Sequence, residues 1–118
     1  MDINIKANWL KALRSGRFVQ GSGTLKYYSV KEKQFQHCCL GVLCELATEA
    51  GVIEASQPDM GMNRHHFDGN TSTLPQSVMN WAGLLDTNPT IEGDRSLAGM
   101  NDGGASFSTI ADAIEQEL

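Results

Sequence analysis

The residues best suited to bind a ligand are three cations beside a short glycine loop. Arg14 and Arg17 precede the loop Gly21-Ser22-Gly23, and Lys26 follows it. Arginine and lysine side chains form charge-assisted hydrogen bonds with phosphate oxygens. The spacing predicts an anion site for a phosphorylated small molecule in the N-terminal third of the chain.

A second group of polar residues lies just before the C-terminal helical pattern. The segment Met100–Gly104 has the composition of a tight turn, and Ser106 is placed to cap the helix that follows it. Helix N-termini present free backbone N–H groups that bind anions. If the fold joins this turn to the glycine loop, one phosphate-bearing ligand would contact both. The predicted ligand-binding residues are Arg14, Arg17, Gly21, Gly23, Lys26, Asn101, Asp102 and Ser106.

The same residues also have an interpretation that needs no ligand. Seven of the nine basic residues lie in 1–33, where they could form the solvated face of a helix and hairpin. The glycine loop lacks the Gly-Lys-Ser/Thr ending of a P-loop and precedes a strand, as a plain turn would. Glu45 and Glu49, four residues apart on a predicted helix, are expected to form an exposed polar stripe.

Three clustered cysteines, Cys38, Cys39 and Cys44, suggest buried thiols more than a metal site. Structural zinc needs ligands spaced so that they converge, such as Cys-x₂-Cys, and adjacent cysteines diverge. No metal or cofactor is therefore predicted. An alternative is a small hydrolase that uses Cys38, at a strand-to-helix junction, with a histidine base. No catalytic residue is assigned, and a non-enzymatic protein is expected.

The overall charge limits the classes of partner. The net charge of −5 disfavours direct binding to nucleic acid or to an anionic membrane. No apolar run approaches the roughly 20 residues of a membrane span, and the N-terminus does not resemble a signal peptide. An odd number of clustered cysteines is typical of a reducing compartment. We expect a cytoplasmic protein, and a homo-oligomer is compatible with the sequence.

Hydrophobic periodicity predicts three main helices and one hairpin. Apolar residues recur at helical spacing in 4–15, 39–50 and 107–117, and a shorter helix ends at Gly83. Residues 24–30 and 34–38 read as paired strands around a polar turn. Residues 52–73 have no sustained periodicity and are expected to form an irregular loop. The sequence predicts a single α+β domain over 1–118, with a small antiparallel sheet or hairpin packed on the central helix and flanked by the N- and C-terminal helices.

Five stretches resemble a widespread family of small proteins encoded by phages and prophages. They are Trp9–Gly16, Gln20–Leu25, Cys38–Leu46, Leu74–Leu84 and Met100–Asp112, and the Cys-Cys-Leu-Gly-Val-Leu-Cys run is the most distinctive. The resemblance implies a viral origin, and hence the host cytoplasm, but no assigned activity and no catalytic residues.

Small acidic phage proteins often antagonise host defence, and this analogy gives the expected function. The first hypothesis is a non-enzymatic binder that inhibits a host defence system by sequestering a nucleotide-type signal. The second is a protein–protein inhibitor, or a nucleic-acid mimic, whose acidic C-terminal two-thirds occupies a basic site on a host enzyme. The cysteine-dependent hydrolase is the third.

Overall fold

A buried helix, α2 (Cys39–Glu49), lies at the centre of the fold. This is a computed structural model, and it describes residues 1–59, 63–91 and 93–118. Most of α2 is buried because its apolar residues cover more than one face. Gly41 of α2 lies against the backbone of Leu25, because a Cβ atom on it would come within 1.8 Å of the Leu25 carbonyl oxygen. The predicted central helix is confirmed.

Four further helices surround α2 in the described part of the chain. They are α1 (Ile3–Arg14), α3 (Gln76–Ala82), α4 (Leu97–Asp102) and α5 (Phe107–Glu117). The Asp2 carboxylate caps α1 by accepting from the N–H groups of Asn4 and Ile5. The α1 helix packs against α2, so the N-terminal helix flanks the central one as predicted, and α5 packs against α1 and α4.

The sheet has four short antiparallel strands in the order β2-β1-β4-β3. The strands are β1 (Lys26–Ser29), β2 (Gln34–His37), β3 (Gln57–Pro58) and β4 (Arg64–His66). The first two strands form the predicted hairpin. The other two come from the segment predicted as an irregular loop, of which residues 60–62 lie outside the described residues. Strands of two and three residues are too short to show a period of two in a sequence.

The segment Met100–Gly104 is not the tight turn that the sequence predicts. Residues 100–102 form the end of α4, whose N-terminus is capped by the Ser96 hydroxyl through the Gly99 N–H group. This helix is held by the burial of Leu97 and Met100. A six-residue helix rich in glycine and asparagine has low intrinsic helix propensity, so tertiary packing decides its conformation.

The predicted α+β class is confirmed by these helices and this sheet. The core includes the fully buried side chains of Trp9, Phe67 and Ile110. The Trp9 indole N–H donates to the Cys39 carbonyl oxygen at 3.0 Å, which fixes α1 against the start of α2. In the described ranges, no helix is long and apolar enough to cross a membrane.

Candidate ligand pocket

The glycine loop and the end of α4 meet at the buried side chain of Asn101, which is 3% exposed. The Asn101 amide nitrogen donates to the Gly21 carbonyl oxygen at 2.7 Å. Its amide oxygen accepts from the Cys39 backbone N–H at 3.2 Å and from the Gln20 side chain at 3.0 Å. One side chain therefore joins the glycine loop, the start of α2 and the end of α4.

Gln20 extends this network to the start of α5. Its amide nitrogen donates to the Ala105 carbonyl oxygen at 2.8 Å, and its amide oxygen accepts from the Phe107 N–H at 3.0 Å. Gln20 is absent from the set of predicted site residues. The only sign in the sequence is its position directly before the glycine loop.

Asp102 and Ser106, which the sequence predicts as ligand contacts, also bind other parts of the protein. The Asp102 carboxylate accepts from the Gly23 N–H at 2.9 Å, and the Ser106 hydroxyl caps α5 by accepting from the Thr109 N–H at 3.2 Å. Two N–H groups in the first turn of α5 are thus satisfied by Gln20 and Ser106. This arrangement leaves fewer donors for a phosphate than the sequence suggests.

A cavity of about 320 Å³ lies beside the Asn101 network. We call it the amide pocket, because its lining combines amide, hydroxyl and backbone groups and, among the described residues, includes no carboxylate, ammonium or guanidinium group. It is lined by Gln20, Gly21, Ser22, Tyr27, Gln36, Asn101, Gly104 and Ala105.

The wall of the amide pocket depends on Gly21. A Cβ atom there would lie 2.7 Å from Cε1 of Tyr27 and 2.8 Å from Cβ of Gln36, so only glycine fits without displacement. Tyr27 and Gln36 are directly opposed on β1 and β2, and the tyrosine hydroxyl donates to the Gln36 amide oxygen. Both were missed in the sequence, which predicts the hairpin but not the register that pairs them.

The three predicted cations lie outside the amide pocket, each beside a different carboxylate. Arg14 pairs with Asp112 of α5 at 2.7 Å, and it also contacts Glu115. Arg17 binds both oxygens of the carboxylate at the end of α2, that of Glu49, at 2.8 and 2.9 Å. The structure therefore joins Gly21, Gly23, Asn101 and Asp102 but not Arg14 and Arg17.

Lys26 belongs to a second polar group, on the other face of the sheet. Its ammonium lies 3.1 Å from the Glu45 carboxylate, and His37 Nε2 lies 2.9 Å from the same oxygen. The Glu45 side chain is 19% exposed, so the expected exposed stripe is wrong for Glu45 and holds for Glu49. Burial raises the pKa of Glu45, but the hydrogen bond with His37 and the charge of Lys26 outweigh burial and lower it overall.

The cysteines are free and buried, which confirms the interpretation as core thiols. Burial raises the pKa of Cys38, although nearby backbone N–H groups oppose the shift, and it raises that of Cys39 and Cys44 further. A raised pKa lowers the fraction of thiolate, which is the nucleophilic form. The geometry thus gives no support to a cysteine nucleophile.

One comparison with known proteins identifies a relative of this chain. A family model described as "Domain of unknown function (DUF8296)" matches residues 1–118. No curated protein and no solved structure matches the chain.

Proposed function

We propose that this chain, which belongs to the DUF8296 family, is a phage-encoded, non-enzymatic binding protein that inhibits a host defence system. It acts by sequestering a nucleotide-type signal in the amide pocket. The observation that carries the proposal is the composition of that pocket, whose lining combines neutral hydrogen-bonding groups with a tyrosine side chain. The phage origin rests on the sequence resemblance alone.

The lining of the amide pocket suits a nucleobase. Side-chain amides such as that of Gln36 present both a donor and an acceptor, the pattern found along the edges of bases. Bases also stack on aromatic rings, and Tyr27 supplies one. A cavity of about 320 Å³ lies at the lower end of the range typical of small-molecule sites, which is roughly 300–1,000 Å³. This volume favours one nucleoside unit over a larger ligand.

The ion pairs of Arg14 and Arg17 indicate which part of a nucleotide this protein would recognise. Arg14 and Arg17 are already bound to carboxylates, and neither lines the pocket. A phosphate that recruited Arg17 would have to displace Glu49, because both oxygens of this carboxylate accept from Arg17 Nη2. We therefore assign recognition to the base and sugar, with the phosphate directed towards solvent.

Calorimetry tests this assignment with the four common nucleosides, their 5′-monophosphates and a set of cyclic dinucleotides. At least one base should bind, and its nucleoside should retain most of the affinity of its monophosphate. Gly21→Ala should weaken binding at least tenfold, because the added methyl group displaces Tyr27. The matched control is Gly99→Ala in α4, outside the pocket, which should bind as the wild type does. Failure of every compound to bind would refute the proposal.

The anti-defence role needs a separate test in cells. Expression of the protein in a host whose defence uses a nucleotide signal should restore phage plaques. Gly21→Ala should lose this effect and Gly99→Ala should keep it. Equal restoration by Gly21→Ala would show that the amide pocket is not responsible.

A groove between α1 and α2 supports protein–protein inhibition as a second candidate function. A cavity of about 530 Å³ has the apolar side chains of Ile5, Ala12, Leu46 and Trp81 in its lining, with Lys11, Arg17 and Glu49 among its charged groups. A groove of this composition suits a partner helix whose apolar face packs against it.

Two asparagines of α1 allow this second candidate to be tested. Asn8 lines the groove, whereas Asn4 lies on the same helix outside it, and both are exposed. Loss of plaque restoration with Asn8→Arg but not with Asn4→Arg would favour the inhibitor. The nucleotide-binding proposal predicts that both variants keep the effect.

A further inference from the structure

A serine hydroxyl lies between an ammonium group and an imidazole on the sheet face opposite the amide pocket. Lys26 Nζ is 2.9 Å from Ser56 Oγ, which in turn is 3.0 Å from His65 Nδ1. An ammonium group can only donate hydrogen bonds, so the Ser56 oxygen accepts from Lys26. In the His65 tautomer that carries its proton on Nε2, the Ser56 hydroxyl donates to His65 Nδ1.

The surroundings of His65 favour its neutral form. Burial and the charge of Lys26 lower the pKa of His65, which keeps its imidazole neutral at pH 7. The carboxylate of Glu45 lies 3.1 Å from the Lys26 ammonium and forms an ion pair with it. The Glu45 carboxylate acts in the opposite direction and raises the pKa of His65, whereas His66 of β4 and His37 of β2 lower it; the pKa is lowered overall.

The sheet register holds this arrangement in place. Lys26 is the direct partner of His65 on one side and of His37 on the other, so the three side chains form a row across one face. The ring of Phe35 packs edge-on against the His65 ring, with centroids 5.0 Å apart. Ser56 directly precedes β3 and is partly exposed, so a reagent can approach its hydroxyl.

The geometry points to Ser56 as an activated nucleophile that accepts an acyl group from an electrophilic ester. The Ser56 oxygen forms a bond with the carbonyl carbon while its proton passes to His65 Nδ1. The carbon–oxygen bond to the leaving group then breaks, the leaving group departs with the electron pair, and the imidazolium supplies the proton it needs. Lys26 acts through Ser56 by stabilising negative charge on the oxygen. The site is separate from the amide pocket and does not rest on the proposed function.

A fluorophosphonate tests the nucleophile directly, because it forms a stable adduct with activated serines. The Ser56 oxygen would bond to phosphorus, fluoride would leave with the bonding pair, and the proton would pass to His65. Peptide mapping of the intact protein should place the adduct on Ser56. General bases contribute about 10²–10⁴ in rate, so His65→Gln should slow labelling at least a hundredfold.

A control variant and a pH profile distinguish an activated Ser56 hydroxyl from one that has only a structural role. Ser29 lies on the same sheet, and its hydroxyl accepts from a backbone N–H without a histidine partner, so Ser29→Ala should label as the wild type does. The wild-type labelling rate should rise with pH and level off below the ordinary histidine pKa of about 6.5. Because it is measured on the wild type, this pH profile tests the activation of Ser56 even if His65→Gln fails to fold. Absence of an adduct on Ser56, or a rate independent of pH between 5 and 8, would overturn the inference.

Discussion

The two faces of the sheet carry opposite kinds of polar chemistry, although they share the same strands. Tyr27 and Gln36 contribute neutral groups to the amide pocket on one face. Lys26 and His37 belong to a charged cluster around Glu45 on the other. Successive residues of a strand point to opposite faces, so a shift of one residue in β1 would exchange the two environments.

The difference between the two faces indicates on which of them a ligand can bind with the smaller loss of existing interactions. In the charged cluster, each ionised group already has a partner, and removing any partner would leave a half-buried charge. In the amide pocket, the lining groups are neutral, so a ligand that binds there breaks no ion pair, and the Gln20 and Asn101 amides can keep their internal hydrogen bonds. This contrast is the reason for assigning the ligand to the neutral face.

The largest predicted loss of stability is at Asn101, which supports the neutral face. Asn101→Ala removes the hydrogen bonds to the Gly21 carbonyl, the Cys39 N–H and the Gln20 amide. Unpaired buried polar groups each cost about 1–3 kcal/mol, so the free energy of unfolding should fall by about 3 kcal/mol in urea titrations. The exposed Asn80→Ala is the control and should change it by less than about 0.5 kcal/mol. An equal change in the free energy of unfolding in the two variants would show that Asn101 does not stabilise this part of the fold.

The charged face should respond to the loss of Glu45. Glu45→Gln leaves Lys26 and His37 without their shared carboxylate, and we expect a loss of about 2 kcal/mol at pH 7. Glu49→Gln, in an exposed pair on the same helix, is the control and should cost less than about 1 kcal/mol. A loss from Glu45→Gln no larger than that of the control would contradict the ion-pair account.

The pH dependence of stability tests the contribution of the Glu45 carboxylate in a second way. The pKa of Glu45 is lowered in the folded protein, so its contribution to stability is present above the unfolded pKa of about 4.5 and is lost as the pH falls through the folded pKa. Urea titrations from pH 7 to pH 3 should therefore show a steeper loss below pH 4.5 for the wild type than for Glu45→Gln. Parallel curves would show that the Glu45 carboxylate is not stabilised by folding.

The smallest predicted effect belongs to Arg17, whose side chain is 54% exposed. Exposed ion pairs contribute about 0–1 kcal/mol, so Arg17→Ala should leave the free energy of unfolding almost unchanged. If the amide pocket recognises the base, the variant should also keep the nucleotide affinity of the wild type. If Arg17→Ala instead binds a monophosphate ten to a hundred times more weakly than the wild type does, the result would support the anion site that the sequence predicts.

The helices other than α4 were predictable because each carries a local signal. The stripes of α1, α2 and α5 have helical spacing, and Ser106 caps α5 as its position suggests. The partners of the charged groups were not predictable in this way. Arg14 meets Asp112 and Lys26 meets Glu45 only through the packing of elements distant in sequence. The sequence predicts Asn101 to be a turn residue, whereas its burial depends on the tertiary packing of α4.

The most direct test of the amide pocket is the map of backbone amide shifts in NMR spectra during titration with the four nucleosides. For the base that binds, the account predicts the largest shifts at Gly21, Ser22, Gly104 and Ala105, with little change at Arg14 and Arg17. Gly21→Ala should suppress these shifts, and Gly99→Ala should retain them. Shifts centred on Arg14 and Arg17, or on the groove between α1 and α2, would contradict the assignment of the ligand to the neutral face.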